Sequence, residues 1–249
     1  MKYAILISAI SLLILGCNRP PSESATTTAP SDDTTRRYIH QQVRLLDSIR
    51  YEVQTFDGLD SLNENIFRTL QALAKDNRYQ HVDLNKDLSF SYLLSDDKKL
   101  CLASWNTQMG GTMIDFTTVA IYQTETGAHI KYFNVETFYQ VFFTKLYALT
   151  ATDGTPTYFA YGHGQASNQL PYRVLQAFRI TNNALDTVQT TTDGNHKLFY
   201  DRSQYTEGET ELDIEFPADR RTIRIPQLKD GAPTGQWLTY TFNGKAYAK

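Results

Sequence analysis

The chain has 249 residues, 41% of them hydrophobic and 12% aromatic, enough for one sizeable core. A formal charge of −3, with no Lys/Arg cluster beyond Arg36-Arg37, excludes the basic stripe with which a nucleic-acid binder holds phosphates. The 2 cysteines, Cys17 and Cys101, are too few for a disulfide framework if one of them is modified.

Lys2 precedes an apolar run from Ala4 to Leu15, and Gly16 stands directly before Cys17. The run fits the roughly 7–15 residues of a secretory h-region and falls short of the ~20 that span a bilayer. Ile14-Leu15-Gly16-Cys17 resembles a lipobox, which implies export, cleavage before Cys17 and lipidation there with palmitate among the acyl chains. An unlipidated secretory cut would favour a small residue where Ile14 stands. Membrane lipid, held through Cys17, is thus the first partner implied. Asn18 and not Asp follows, and Arg19-Pro20-Pro21 replaces an acidic cluster. The expected location is therefore the outer membrane, on its periplasmic face, with the cell surface as the alternative.

From residue 17 to about 37 the composition is rich in Pro, Ser, Thr and Ala, with little to bury, and predicts a flexible tether. A helical period follows. Ile39, Val43, Leu46, Ile49 or Arg50, and Val53 recur at spacings of three and four, and Phe56-Asp57-Gly58 is expected to end the helix. Ser61 with Glu64 three residues on reads as a capping box opening a second helix along Leu62, Ile66, Leu70 and Leu73. Residues 38–76 are thus expected to form a helical hairpin with one apolar stripe per helix, lying against something else.

Residues 77–249 change to period two. Leu88, Phe90, Tyr92 and Leu94 alternate with polar residues, Ser95-Asp96-Asp97-Lys98 forms a turn, and Leu100 to Trp105 alternates again. Further runs are read at Met113 to Tyr122, Ile130 to Phe133, Val141 to Leu149, Tyr158 to Tyr161, Leu175 to Ile180 and Lys197 to Tyr200. Leu212 to Phe216, Thr222 to Ile225 and Trp237 to Phe242 complete them. Asp153-Gly154, Asn182-Asn183, Asp193-Gly194 and Asn243-Gly244 punctuate these runs, too closely for parallel crossovers. The predicted fold is mostly β: an antiparallel meander or sandwich-like domain behind the helical hairpin. A small propeller is the alternative, because the turn at Ser95 and the strand ending at Trp105 look like part of a blade, although no ~40-residue period recurs.

Within these strands the most distinctive segment is Ser104-Trp105-Asn106-Thr107, followed by Met109-Gly110-Gly111-Thr112-Met113. It resembles a group of exported lipoproteins of Bacteroidetes-type bacteria in which Ser-Trp-Asp-Thr precedes Gly-Gly-Thr-Met. No activity is assigned to that group, so the resemblance implies kinship without a mechanism. Asn106 stands where the group has Asp, and Ile114 where it has His. Physically, Gly110-Gly111 supplies backbone for positive φ or close approach, as a hairpin or a ligand loop requires. Trp105 and Met109 would either line a pocket or enter the core, and the alternation groups Trp105 with Cys101 and Ala103 on the more apolar face.

His163, between Gly162 and Gly164 at the end of a strand, has the exposure and backbone access of a general base or ligand, or of a solvated loop histidine. His40, His81, His129 and His196 stand singly, at no metal-ligand spacing. Asp193-Gly194-Asn195 and Glu207-Gly208-Glu209 read as turns, since neither continues into a calcium loop. Asp213 and Glu215 would share a strand face about 7 Å apart. Cys101 sits in an apolar pattern and reads as a small buried hydrophobe. No nucleophile or phosphate-cradling motif occurs, and neither cofactor nor metal is implied.

The function expected is that of a lipid-anchored envelope domain, a non-catalytic module for an envelope protein, glycan or peptide. Its candidate binding residues are Trp105, Asn106, Met109, Gly110, Gly111 and His163. A hydrolase of envelope glycans or peptides, with the loops at Trp105 to Met113 and Gly162 to Gly164 forming its cleft, is the alternative.

Overall fold

In this computed structural model the described residues are 30–49, 56–84, 89–110, 114–133, 140–166, 170–201, 213–229 and 232–249. All but Pro30 belong to the compact unit Ser31–Lys249. The signal segment, Cys17, Gly111 and Glu207-Gly208-Glu209 lie outside them.

Helix α1 spans Asp32–Ile49 and α2 spans Phe56–Lys75. The first begins inside the expected tether because Ser31 caps it: its hydroxyl accepts the Thr34 amide at 3.2 Å, and Asp32 and Asp33 follow in the first turn, where the helix dipole favours acids. Arg78 clamps Asp32 at 2.5 Å, holding this first turn onto the domain. The expected boundary near residue 38 is corrected accordingly. Phe56-Asp57-Gly58 opens α2 and does not end α1, so Ser61 lies inside the helix and is not its cap. Glu64 instead pairs one turn on with Arg68 at 2.8 Å. No described helix is long and apolar enough to cross a membrane.

The β region forms three antiparallel sheets. In the first, β1 (Phe90–Leu94), β2 (Leu100–Asn106), β3 (Phe116–Thr124) and β4 (Gly127–Tyr132) pair in chain order. The second runs β5 (Phe142–Thr150), β6 (Pro156–Gln165) and β7 (Pro171–Thr181). Strand β7 shares its outer edge between β8 (Ala184–Val188), along Ala177–Thr181, and β9 (Lys197–Asp201), along Tyr172–Gln176. The third sheet joins β10 (Thr222–Lys229), β11 (Ala232–Phe242) and β12 (Tyr247–Ala248). Of the segment expected as a strand from Leu212 to Phe216, Leu212 lies outside the described residues, and the described part makes a bridge, Glu215 to Arg224.

Period-two alternation stacks these elements into four layers. Ile39, Val43, Leu46, Ile66, Leu70 and Leu73 from the helices pack on Phe90, Cys101, Ala103, Trp105, Val119 and Ile121 of the first sheet. The other face of that sheet, with Leu100, Leu102 and Ala120, meets Phe143, Tyr158, Ala160, Val174 and Phe178 of the second. The far face of the second sheet, with Tyr147, Phe159, Tyr161 and Leu175, meets Ile223, Ile225, Phe242 and Tyr247 of the third. Each fully buried Leu, Ile or Phe contributes about 1.5–3 kcal/mol by leaving water. Successive meanders facing one another are also what propeller blades do, but here helices cover the outer face of the first sheet.

One turn recurs through the β region. Asp97, Asp153, Asp193 and Asp219 each accept the backbone amide two residues on, at 3.1, 3.0, 3.4 and 3.0 Å. The residue between is left-handed every time: Lys98 (φ 60), Gly154 (φ 80), Gly194 (φ 92) and Arg220 (φ 54). Asn243 repeats the device across Gly244 (φ 92), accepting from Lys245 at 2.9 Å. The side-chain oxygen satisfies an amide that the left-handed bend removes from the ladder.

Candidate functional site

The motif at Ser104 is built into three layers. Alternation along β2 turns Ser104 toward the second sheet, where its hydroxyl is 2.7 Å from that of Thr118 and accepts the Phe143 amide at 3.3 Å. Thr118 in turn donates to the Val141 carbonyl at 2.8 Å. Trp105 faces the helices and is wholly buried, beside Cys101 and Ala103, with its indole N–H donated to Asn63 of α2 at 2.7 Å. Asn63 returns a hydrogen bond to the Thr107 carbonyl at 3.0 Å.

The loop that follows closes on itself. Asn106 accepts the Gln108 amide at 3.0 Å, Thr107 accepts the Met109 amide at 3.1 Å, and the Thr107 hydroxyl donates to Asp115. Gln108 is left-handed (φ 61), a position the sequence did not single out, and reaches Asp47 of α1 at 3.3 Å. Gly110 is half-buried and Met109 exposed. Trp105 is thus an anchor and not a pocket wall, while Asn106 and Thr107 are loop braces.

His163 is not in a loop: it lies within β6, paired with Phe142 on one side and Arg173 on the other. The flanking glycines are needed because the chain from Gln140 to Phe143 crosses closely beneath them. A Cβ on Gly162 would lie 2.7 Å from Val141 Cγ1 and 2.8 Å from Phe143 Cα, and one on Gly164 would strike the Tyr172 hydroxyl and the Gln140 carbonyl. Alternation turns His163 to the opposite face, with its ring centroid 5.4 Å from Phe142 and 5.6 Å from Phe116.

Around it stand Arg173, Asp213 and Tyr161. Asp213 accepts the Tyr161 hydroxyl on one oxygen, pairs with Arg173 Nε at 3.4 Å on the other, and also accepts the Ile214 amide at 2.7 Å. Burial and the nearby Arg173 charge push the His163 imidazole down to about 4, so it is neutral at physiological pH, although Asp213 opposes the shift. Burial and the donation to Asp213 push the Tyr161 phenol up. Among the described residues no carboxylate is hydrogen-bonded to the imidazole, and Asp213 is engaged by Tyr161 and Arg173 instead. Asp213 and Glu215, expected on one strand face, part company: Asp213 joins this cluster and Glu215 pairs with Arg224 at 2.6 Å.

Trp105 and His163 do not share a cleft. The indole lies on the helix side of the first sheet and the imidazole on the face of the second sheet turned away from the first. Only the Trp105 indole is thus remote from His163: Phe116, the strand partner of Asn106, packs its ring 5.6 Å from the imidazole.

At the other end of the stack lies a cleft that sequence inspection missed. The β1–β2, β3–β4, β5–β6 and β7–β8 hairpins all turn there, and the tips enclose about 500 Å³. Pro156 and Ile180 give it half-buried apolar surface over the wholly buried Tyr158, while Lys99, Glu125, Asn182 and Asn183 stand on the tips. Tyr158 is fixed by donating its hydroxyl to Asp97 at 2.7 Å. Only the turn residues themselves signalled this site, and they are spread over some 85 positions of the chain, from Lys99 to Asn183. A second groove, of about 560 Å³, runs along α1 past Arg36, Arg37 and Arg44, but Asp33 holds both Arg36 and Arg37.

Compared with known proteins, the chain matches no family model, no curated protein and no solved structure.

Proposed function

We propose that this chain is a lipid-anchored protein of the cell envelope, related to the exported Bacteroidetes-type lipoproteins it resembles, whose folded domain is a non-catalytic binding module. The hairpin-tip cleft carries this reading. Its volume falls in the range of about 300–1,000 Å³ usual for ligand pockets, and its mostly polar lining, from Lys99 and Glu125 to Asn182 and Asn183, also holds Pro156 and Ile180. Glycoside hydrolysis ordinarily uses two carboxylates across the scissile bond, and Glu125 is the one carboxylate among the described lining residues. Lipidation at Cys17 would hold the domain at the periplasmic face of the outer membrane, and the cleft would meet envelope ligands there.

One observation favours the hydrolase alternative: four ionisable side chains, His163, Arg173, Asp213 and Tyr161, gather at the opposite end. Incubating the mature chain with peptidoglycan separates the two. Binding without release of soluble fragments is expected, and release abolished by His163→Gln would replace the binding module by an enzyme. For the anchor, Cys17→Ser should lose palmitate label and leave the membrane fraction. Unchanged labelling would overturn the location.

A further inference from the structure

We infer that the outer face of α1 rests on a lipid surface carrying anionic headgroups, with Arg37 and Arg44 on the phosphates and Tyr38 and Leu45 at the acyl boundary. This rests on the anchor at Cys17 proposed above and goes beyond it by naming the face that the domain turns to the membrane.

The pattern along α1 is the first ground. Ile39, Val43 and Leu46 bury one side of the helix. On the other side Arg37 and Arg44 stand two turns apart, about 10 Å along the axis. Tyr38 and Leu45 repeat that interval and are 41% and 42% exposed. The two rows lie about 100° apart around the helix, with the neutral Thr34, Gln41 and Ser48 between them. Helices that lie in a membrane interface are built this way, with arginines on the polar flank and aromatic and aliphatic side chains on the other.

Charge is the second ground. Of the acids in α1, Asp32 is clamped by Arg78 and Asp47 receives Gln108, which leaves Asp33 on the outer face. Asp33 pairs with Arg36 and with Arg37, the latter at 3.0 Å, on the side of the arginine row away from Tyr38 and Leu45. The Asp33 and Arg37 side chains are 54% and 74% exposed, so a lipid phosphate replaces the carboxylate at little cost. Arg44 has no acidic partner among the described residues. Three arginines against one aspartate thus make a basic patch on a chain whose formal charge is −3, and an anionic surface is drawn to this face before others.

The third ground is the chain itself. Residues 18–31 join Cys17 to α1 and span at most about 50 Å. They enter the domain at the helical layer, whereas the third sheet lies three layers, about 30 Å, beyond it. The lipidated end therefore brings α1 to the bilayer first, and at the effective concentration that a short tether sets, a weak contact is populated. An acidic protein would meet the same arginines, but the bilayer alone is held at this end by the chain.

The test is flotation of the full mature chain carrying Cys17→Ser, which reads the face without the anchor. The vesicles are phosphatidylcholine alone, or phosphatidylcholine with about one third phosphatidylglycerol. Binding to the anionic vesicles should be about 25-fold tighter, and salt at about 1 M should release it. Arg37→Gln and Arg44→Gln should each weaken it about fivefold, while Lys245→Gln on the β11–β12 turn leaves it unchanged. All three variants should melt with the parent chain. No binding, equal binding to both vesicles, or binding undiminished in the double arginine variant would overturn the inference. A concentration-dependent dimer that Leu45→Ser abolishes would give the face to a second copy of the chain and would also overturn it. Palmitate on Cys17 without vesicle preference would leave the anchor and remove this face; vesicle preference in a chain that carries no palmitate would do the reverse.

Discussion

Trp105 Nε1 lies 2.7 Å from Asn63 Oδ1, and through this bond the most distinctive motif of the chain is fastened to the helical hairpin 42 residues earlier. The same Asn63 donates to the Thr107 carbonyl and, within α2, to the Leu59 carbonyl at 2.9 Å. One carboxamide therefore satisfies a buried indole and braces the loop that follows it.

Asn63→Leu should destabilise the domain by about 1–3 kcal/mol, since it leaves the buried indole N–H without a partner. In a Trp105→Phe background the same substitution should cost less, because that N–H is gone. Urea unfolding of the four members of the cycle measures the coupling. Equal costs in both backgrounds would show that the bond contributes nothing.

Two glycines should respond differently to alanine. Gly162→Ala places a Cβ against Val141, Phe142 and Phe143, in strand packing that has no room to yield, and should cost about 3 kcal/mol or more. Gly154→Ala meets open space and suffers only its left-handed backbone (φ 80), which costs about 1 kcal/mol. Thermal unfolding orders the pair, and the reverse order would contradict the close crossing of Gln140–Phe143 under β6.

The pH dependence of stability has a defined sign at His163. The native imidazole titrates at about 4 and the unfolded one at about 6.5, so between these values only the unfolded chain is protonated. Stability should be full above pH 6.5 and fall as pH drops through this window, by at most about 1.4 kcal/mol per pH unit from this group. His163→Phe, which keeps a ring between Phe116 and Phe142, should flatten the profile relative to the parent chain. Equal slopes, or a native titration near 6.5 by imidazole NMR, would refute the assignment.

Cys101 should be inert to thiol reagents in the folded protein. Burial pushes its thiol up to about 12, and its side chain is wholly covered beneath the helices. Labelling should therefore follow unfolding, rising with urea in step with the loss of circular dichroism. Rapid labelling of the native chain would show that α1 and α2 detach from the first sheet.

Periodicity along one chain was enough for the class of fold. Ile39, Val43 and Leu46 at helical spacing and Leu100 to Trp105 at strand spacing fix which side chains seek cover, and the alternation by itself set Trp105 on the same face as Cys101 and Ala103. Turn chemistry was equally local, since Asp153-Gly154 and Asp193-Gly194 carry their left-handed residue in plain sight. What periodicity leaves open is which face meets which, because a strand alternating apolar residues on both sides, like β6, is matched by several partners. Only the stacked structure showed that the glycines around His163 answer to Val141 and Phe143, that Asp213 and Glu215 turn to different partners, and that α2 begins at Phe56. The cleft was hidden for the same reason: Lys99, Glu125 and Asn183 belong to separate hairpins, and their proximity is created by sheet-on-sheet packing, a relation between distant segments that no local pattern encodes.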